Sequence, residues 1–136
     1  MIIPNLLVAD IARSVAVYRD VVGLDVMMTL AADLQMGHGG EVIEGAVFAT
    51  LGHAGAQLML QTAAQTDDVL KPEKRPVRSW VYIRDLDPAP VARRAGTALL
   101  NGPELTWYGM KEIHLEDPDG HLVCVGKPEG TAHRPA

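Results

Sequence analysis

The sequence predicts an α+β chain made of two copies of a βαβββ module. Three observations carry that expectation. Short apolar runs, several with period-2 alternation, outnumber helix-type segments, so strands dominate. The two helix-type segments enter at Asp10 and Asp85 and stop at Gly23 and Gly96. Finally, Val8-Ala9-Asp10-Ile11 recurs 75 residues later as Ile83-Arg84-Asp85-Leu86, and Leu58-Met59-Leu60 and Val123-Cys124-Val125 close the two halves alike.

Taken in order, residues 2–8 are aliphatic and too short for a free-standing helix, which makes them a strand. Asp10 then supplies an N-cap carboxylate, and Ile11, Val15, Tyr18 and Val22 follow at spacings of 4, 3 and 4, all on one helical face. Residues 24–30 alternate as a half-buried strand does. Residues 31–45 are irregular, and the run Gly37-His38-Gly39-Gly40 argues against a regular element there. Residues 46–51 and 57–61 form two strands around the turn Gly52-His53-Ala54-Gly55. Residues 63–78 read as a linker, with Pro72 and Pro76 opposing regular structure. Beyond it, residues 80–84 form a strand and 85–95 a proline-started helix. Residues 97–100, 109–116 and 121–125 complete the second set of strands, with Asp117-Pro118-Asp119-Gly120 a tight turn between the last two. This organisation gives one domain over 1–127, comprising module one (about 1–62), linker (63–78) and module two (79–127), and a flexible tail over 128–136.

Composition narrows the function classes. With 12 Lys+Arg against 17 Asp+Glu the net charge is -5, and aromatics make up only 4%. That balance opposes nucleic-acid binding, which needs basic and stacking surface. No apolar run approaches the ~20 residues that span a bilayer, so no membrane partner is expected. A single cysteine precludes an internal disulfide and, with no secretory signal before the first strand, points to the cytoplasm.

Two stretches resemble the vicinal oxygen chelate superfamily, which covers glyoxalases, extradiol dioxygenases and bleomycin-resistance-type binding proteins. The first is Val8-Ala9-Asp10-Ile11-Ala12-Arg13-Ser14 leading to Tyr18-Arg19-Asp20-Val21-Val22-Gly23-Leu24. The second is Tyr108-Gly109-Met110-Lys111-Glu112 followed by Asp117-Pro118-Asp119-Gly120-His121. With the matching order of elements, the likeness covers about residues 2–127. It implies two modules whose strands curl into a half-open barrel with a shared cleft and helices outside. It also implies a homodimer, which suits modules too small to bury their sheets well alone.

Metal-dependent members carry His-type ligands in the first strand of each half and carboxylates in the last. Transferred position by position, the first-strand ligands fall on Ile3 and Arg78, and the closing-strand ligands on Met59 and Cys124. Shifting the first-strand positions by one gives Pro4 and Ser79, and by two Asn5 and Trp80. None of these sets suits a hard or borderline divalent ion, so no metal and no other cofactor is expected. The histidines His38, His53, His114, His121 and His133 fall in loops, late strands and the tail, with His114 and His121 placed to meet across the last hairpin.

The candidate ligand-binding residues are Met27, Gln57, Met59, Arg78, Trp80, Trp107, Tyr108, Leu122 and Cys124, and none is assigned a catalytic role. If Cys124 faces the cleft, alternation puts Leu122 there and turns Val123 and Val125 toward the helices. Cys124 then reads as a buried inert thiol or, given a basic partner, a nucleophile. Met59, with Gln57 and Gln61 in phase, would join Met27 in an adaptable apolar wall or in ordinary core. Trp80, and Trp107-Tyr108 on a rim loop, suit stacking on a planar ligand, with core or dimer packing as the alternative. Arg78 reads as an anion contact or a solvated linker residue, His38 as an acid/base group or an exposed loop residue. Glu112 is a general base or an edge-strand surface carboxylate.

The expected function is a metal-independent, homodimeric binding protein that sequesters a small organic compound, such as a drug or toxic metabolite, in an apolar cleft. The charge of -5 favours cationic compounds. The alternative is a metal-dependent glyoxalase- or dioxygenase-like enzyme.

Overall fold

In the computed structural model, which describes residues 1–62 and 78–130, Asp10 caps the first helix as its position dictates. Its extended backbone turns the carboxylate back to accept the Arg13 N–H at 2.8 Å. The helix α1 (Ile11–Val15) continues as wider π-helical turns over Ala16–Val22. It ends at Gly23, whose φ of 99° is left-handed and cheap only for glycine. The N–H groups of Gly23 and Leu24 both bond to the Tyr18 carbonyl. The stripe Ile11, Val15, Tyr18 and Val22 is fully buried, as its spacing predicts.

The chain divides into two compact units, Met1–Val77 and Arg78–Ala136, each holding one sheet. The first unit contributes β1 (Asn5–Val8), β2 (Asp25–Ala31), β3 (Met36–His38), β4 (Ala46–His53) and β5 (Ala56–Thr62). Their order across the sheet is β1-β5-β4-β2-β3, with β1 parallel to β5 and the other pairs antiparallel. Alternation sends Leu6, Val8, Leu58, Leu60, Ala49 and Leu51 to the buried face. Helix α1 packs against β4 and β5.

The second unit contains β6 (Trp80–Arg84), α2 (Pro88–Ala95) with a 3-10 turn over Gly96–Ala98, β7 (Leu99–Leu105), β8 (Met110–Glu116) and β9 (Leu122–Pro128). The sheet order is β6-β9-β8-β7, with β6 parallel to β9. Without β3 the first sheet has the same order and the same single parallel pair, so the repeat read from the sequence is a repeat of topology. Helix α2 covers β7, β8 and β9, burying Val91 and Ala95 beside Ile113, Leu115, Val123 and Val125. The fold class is α+β. Among the described residues no helix is long and apolar enough to cross a membrane.

Several expectations need correction. The glycine run after residue 36 does not prevent order: β3 pairs with β2, Met28 opposite His38 and Leu30 opposite Met36. Gly37 makes this possible, because a Cβ there would lie 2.6 Å from Thr29 Oγ1 and 2.9 Å from the Glu41 carbonyl. That space lets the buried Thr29 hydroxyl donate to the Glu41 carbonyl at 2.9 Å. Strand β7 extends to Leu105, and its Pro103 is tolerated because β7 is an edge strand. Strand β9 continues to Pro128, and the Glu129 N–H bonds the Gly109 carbonyl, so 128 and 129 are tied to the sheet rather than part of a frayed tail. The linker over 63–77, the tail from 131 and His133 lie outside the described residues.

Candidate functional site

Pairing register defines which side chains share the open face of the second sheet. On β6, Trp80 and Tyr82 stand beside Leu122 and Cys124 of β9, the latter beside His114 of β8. Glu112 lies two residues from His114 on the same strand, opposite Gly126. The alternate residues, Ile113, Leu115, Val123 and Val125, are buried on the helix side. Leu122 and Cys124 thus face away from Val123 and Val125, as alternation requires.

Glu112 organises this face. It is only 2% exposed, yet it sits on an interior strand and not at a sheet edge, which corrects the surface-carboxylate reading. A buried carboxylate needs partners. Tyr82 donates its hydroxyl to Oε2 and Tyr108 donates to Oε1, both at 2.5 Å. The two donors arrive from opposite sides. Tyr108 sits in the turn before β8, which closes through the Gly109 N–H to the Thr106 carbonyl. Tyr82 must cross β9 to reach β8, and Gly126 lets it through. A Cβ at Gly126 would be 2.8 Å from the Tyr82 hydroxyl and 3.0 Å from Glu112 Cγ.

These contacts shift three acids in one direction. The bond to Glu112, with some burial, pushes the Tyr108 phenol up to about 12. Burial and the same carboxylate raise the Tyr82 phenol further. Burial, with Glu112 nearby, pushes the Cys124 thiol up to about 12. All three hold their protons more tightly than ordinary phenols and thiols do, which disfavours the thiolate at neutral pH.

Trp80 is 69% exposed, and its ring meets His114 edge-on at 6.1 Å between centroids. Trp107 packs edge-on against Tyr108 at 5.3 Å. Tyr82 and Tyr108 remain 45% and 43% exposed although their hydroxyls are bonded to Glu112. The face therefore presents aromatic surface around a buried charge.

Of the nine candidates, Trp80, Tyr108, Leu122 and Cys124 come together here, with Trp107 against Tyr108. Arg78 does not join them: it is exposed, and its guanidinium lies over Gly120 in the turn before β9. Met27, Gln57 and Met59 belong to the first unit. Met27 and Gln57 line a depression of about 300 Å³ with Asp25 and His53, at the β4–β5 turn. Met59 stands opposite Thr50, which is itself opposite Met28, while a bulge between Val26 and Met28 brings the Met27 sulfur over Gly52, opposite Gln57. Tyr82 was missed. Its signal was the i, i+2 spacing from Trp80, which places both rings on one face of a strand.

His114 and His121 do not form a pair. His114 Nδ1 is hydrogen-bonded to Asn101 Oδ1 at 2.8 Å on the open face. His121 is fully buried, accepts the Ser79 N–H at Nδ1 and donates its own backbone N–H to Asp117. The closing-strand equivalence also changes. Asn5 pairs with Met59, and its repeat partner Trp80 pairs with Leu122, so Met59 corresponds to Leu122 and Gln61 to Cys124.

One trio of metal-capable groups exists among the described residues: Glu112, His114 and Cys124, with ligand atoms within 4.8 Å of one another. Ligand atoms around one tetrahedral zinc ion lie roughly 3.3–3.8 Å apart. Both Glu112 oxygens already accept tyrosine hydroxyls, and His114 Nδ1 is taken by Asn101 Oδ1. As arranged, the trio does not fit a metal.

A profile of the Glyoxalase/Bleomycin resistance protein/Dioxygenase superfamily matches residues 3–125. The chain belongs to that superfamily. No curated protein sequence matches it significantly. Among solved structures it is similar to TioX from Micromonospora sp. ML1, with TM-score 0.71, 18% identity and coverage of 93% of this chain and 96% of that one. It is similar to TnmS3, an antibiotic binding protein from Streptomyces sp. CB03234, with TM-score 0.61, 19% identity and 93% of each chain covered. A lactoylglutathione lyase from Agrobacterium tumefaciens has TM-score 0.63 and 17% identity, covering 93% and 92%. At these identities the likeness establishes the glyoxalase-type fold.

Proposed function

We propose that this protein binds a small organic compound, without a resident metal, on the open face of its second sheet. The observation that carries the reading is the exposed aromatic surface of Trp80, Tyr82 and Tyr108 around the buried Glu112. Aromatic rings left in water at a preformed site gain by stacking on a planar ligand. The burial of Glu112 and of the protonated Cys124 thiol supports sequestration over covalent chemistry. The likeness to TnmS3, an antibiotic binding protein, supports a binding role. The reading includes a homodimer, as the family resemblance implies, and a cytoplasmic location, for which the single cysteine speaks.

The test is a screen of planar antibiotics and aromatic metabolites by tryptophan fluorescence and melting temperature, paired with elemental analysis of chelator-free protein. A ligand at one hundred times its Kd should raise stability by about 2.7 kcal/mol. Binding that is unaffected by chelator supports the proposal. Stoichiometric, tightly held transition metal would favour the lyase-type alternative, and a library with no hits would remove the binding reading.

A further inference from the structure

We infer that Tyr82 and Tyr108 form an acceptor-only subsite that takes a protonated nitrogen carried on a planar aromatic ligand. The inference rests on the proposed binding face and names what that face selects. A phenol has one hydrogen to give, and both of these are given to Glu112. The two hydroxyl oxygens therefore offer only lone pairs to anything that approaches from solvent, the Tyr108 oxygen sharing its own with the Thr106 side chain. Glu112 is itself almost wholly covered, so a ligand meets its charge through the two tyrosines, each polarised by the bond it donates. The raised phenol values mean that both hydrogens stay in place at neutral pH.

The remaining charges around the subsite agree. On β8, Glu112 is flanked along the same face by His114 and the exposed Glu116, which pairs with Leu122. On β7, the exposed Glu104 pairs across the ladder with Glu112. On β9, Cys124 is a neutral thiol. On β6, Arg84 lies 3.6 Å from Asp85, and just before the strand the Arg78 guanidinium lies over Gly120, beside Glu116. Carboxylates therefore outnumber cations on this face. Two acidic residues opposed on neighbouring strands are mutually unfavourable, and an arriving cation relieves that repulsion. The exposed Trp80 ring adds a surface on which a cationic aromatic system is attracted by the π face. A neutral ring would gain the stacking alone, and an anionic one would meet acceptors where it needs donors.

Three acridines of one shape separate these cases by calorimetry: 9-aminoacridinium, neutral acridone and acridine-9-carboxylate. The cation should bind at least tenfold tighter than acridone, about 1.4 kcal/mol, and the carboxylate weakest. In Glu112→Gln the preference for the cation should fall below threefold, while acridone affinity stays within threefold. Tyr108→Phe, which keeps the ring, should halve the preference or more and serves if the first variant does not fold. Equal binding of all three, or a preference for the carboxylate, overturns the inference and leaves the binding reading standing. Parallel loss of all three acridines in the variants also overturns it, because a purely structural role would produce that pattern. Binding of none of them counts against the planar-ligand site itself.

Discussion

Gly126→Ala is the sharpest perturbation of the Tyr82–Glu112 contact, because the substitution touches it without straining the backbone. Gly126 lies within β9 and its φ is outside the left-handed region, so alanine accepts the conformation. The added Cβ would stand 2.8 Å from the Tyr82 hydroxyl, against 3.4 Å for an ordinary contact. Relief requires a displacement of about 0.6 Å, which takes a 2.5 Å O–H···O bond to the edge of its useful range. The Lys111 carbonyl at 3.2 Å and Glu112 Cγ at 3.0 Å close off the other directions. A hydrogen bond to a charged group contributes about 1.5–3 kcal/mol, and the buried methyl returns up to about 0.8 kcal/mol. The expected net loss is roughly 1–2 kcal/mol in urea unfolding. Tyr82→Phe on its own should show a similar loss. In the Gly126→Ala background it should be nearly neutral, since removing the hydroxyl removes both the bond and the clash. Additivity within about 0.5 kcal/mol, or a neutral Gly126→Ala, would refute the reasoning.

Three further outcomes follow from the same geometry. Cys124, Tyr108 and Tyr82 all hold their protons more tightly than the ordinary values of 9.0 and 10.0, so the unfolded chain releases them first as pH rises. Stability from these groups should be level below about pH 9 and fall progressively toward pH 12, read as melting temperature against pH, with Cys124→Ser removing the earliest part. At pH 8 the same thiol should resist iodoacetamide in the folded state and react on unfolding. Asp10→Ala removes the acceptor of the Arg13 N–H and should lower stability by about 1 kcal/mol in urea unfolding, with Asp10→Asn losing far less.

Much of the fold was legible because its signals are local. The stripe from Ile11 to Val22 and the glycines at 23 and 96 follow from helix geometry alone, and the aliphatic-x-Asp-aliphatic echo exposes the repeat. That Leu122 and Cys124 share one face and Val123 and Val125 the other was equally readable, since alternation within one strand suffices. What was not legible depends on partners distant in sequence. Glu112 looks like a surface carboxylate until β8 is known to lie between β7 and β9 and the Tyr82 and Tyr108 hydroxyls to meet its oxygens. The reach of Tyr82 across β9 depends on an empty space at Gly126, and a missing side chain carries no pattern. The strand at Met36–His38 was hidden in the same way, because Gly37 signals a turn locally while serving a close approach to Thr29.

The central claim is that organic ligands settle on the open face of the second sheet. The chain has two tryptophans, and Trp80 and Trp107 both belong to that face or its rim, so two indole N–H resonances report on it directly. A nitrogen–proton correlation titration with a compound that raises the melting temperature is the decisive measurement. With the ligand on this face, the Trp80 indole and the backbone signals of Tyr82, Tyr108 and Cys124 move together and saturate with the binding curve. Saturable shifts confined to the helices or to the first sheet, with both indoles unmoved, would contradict it.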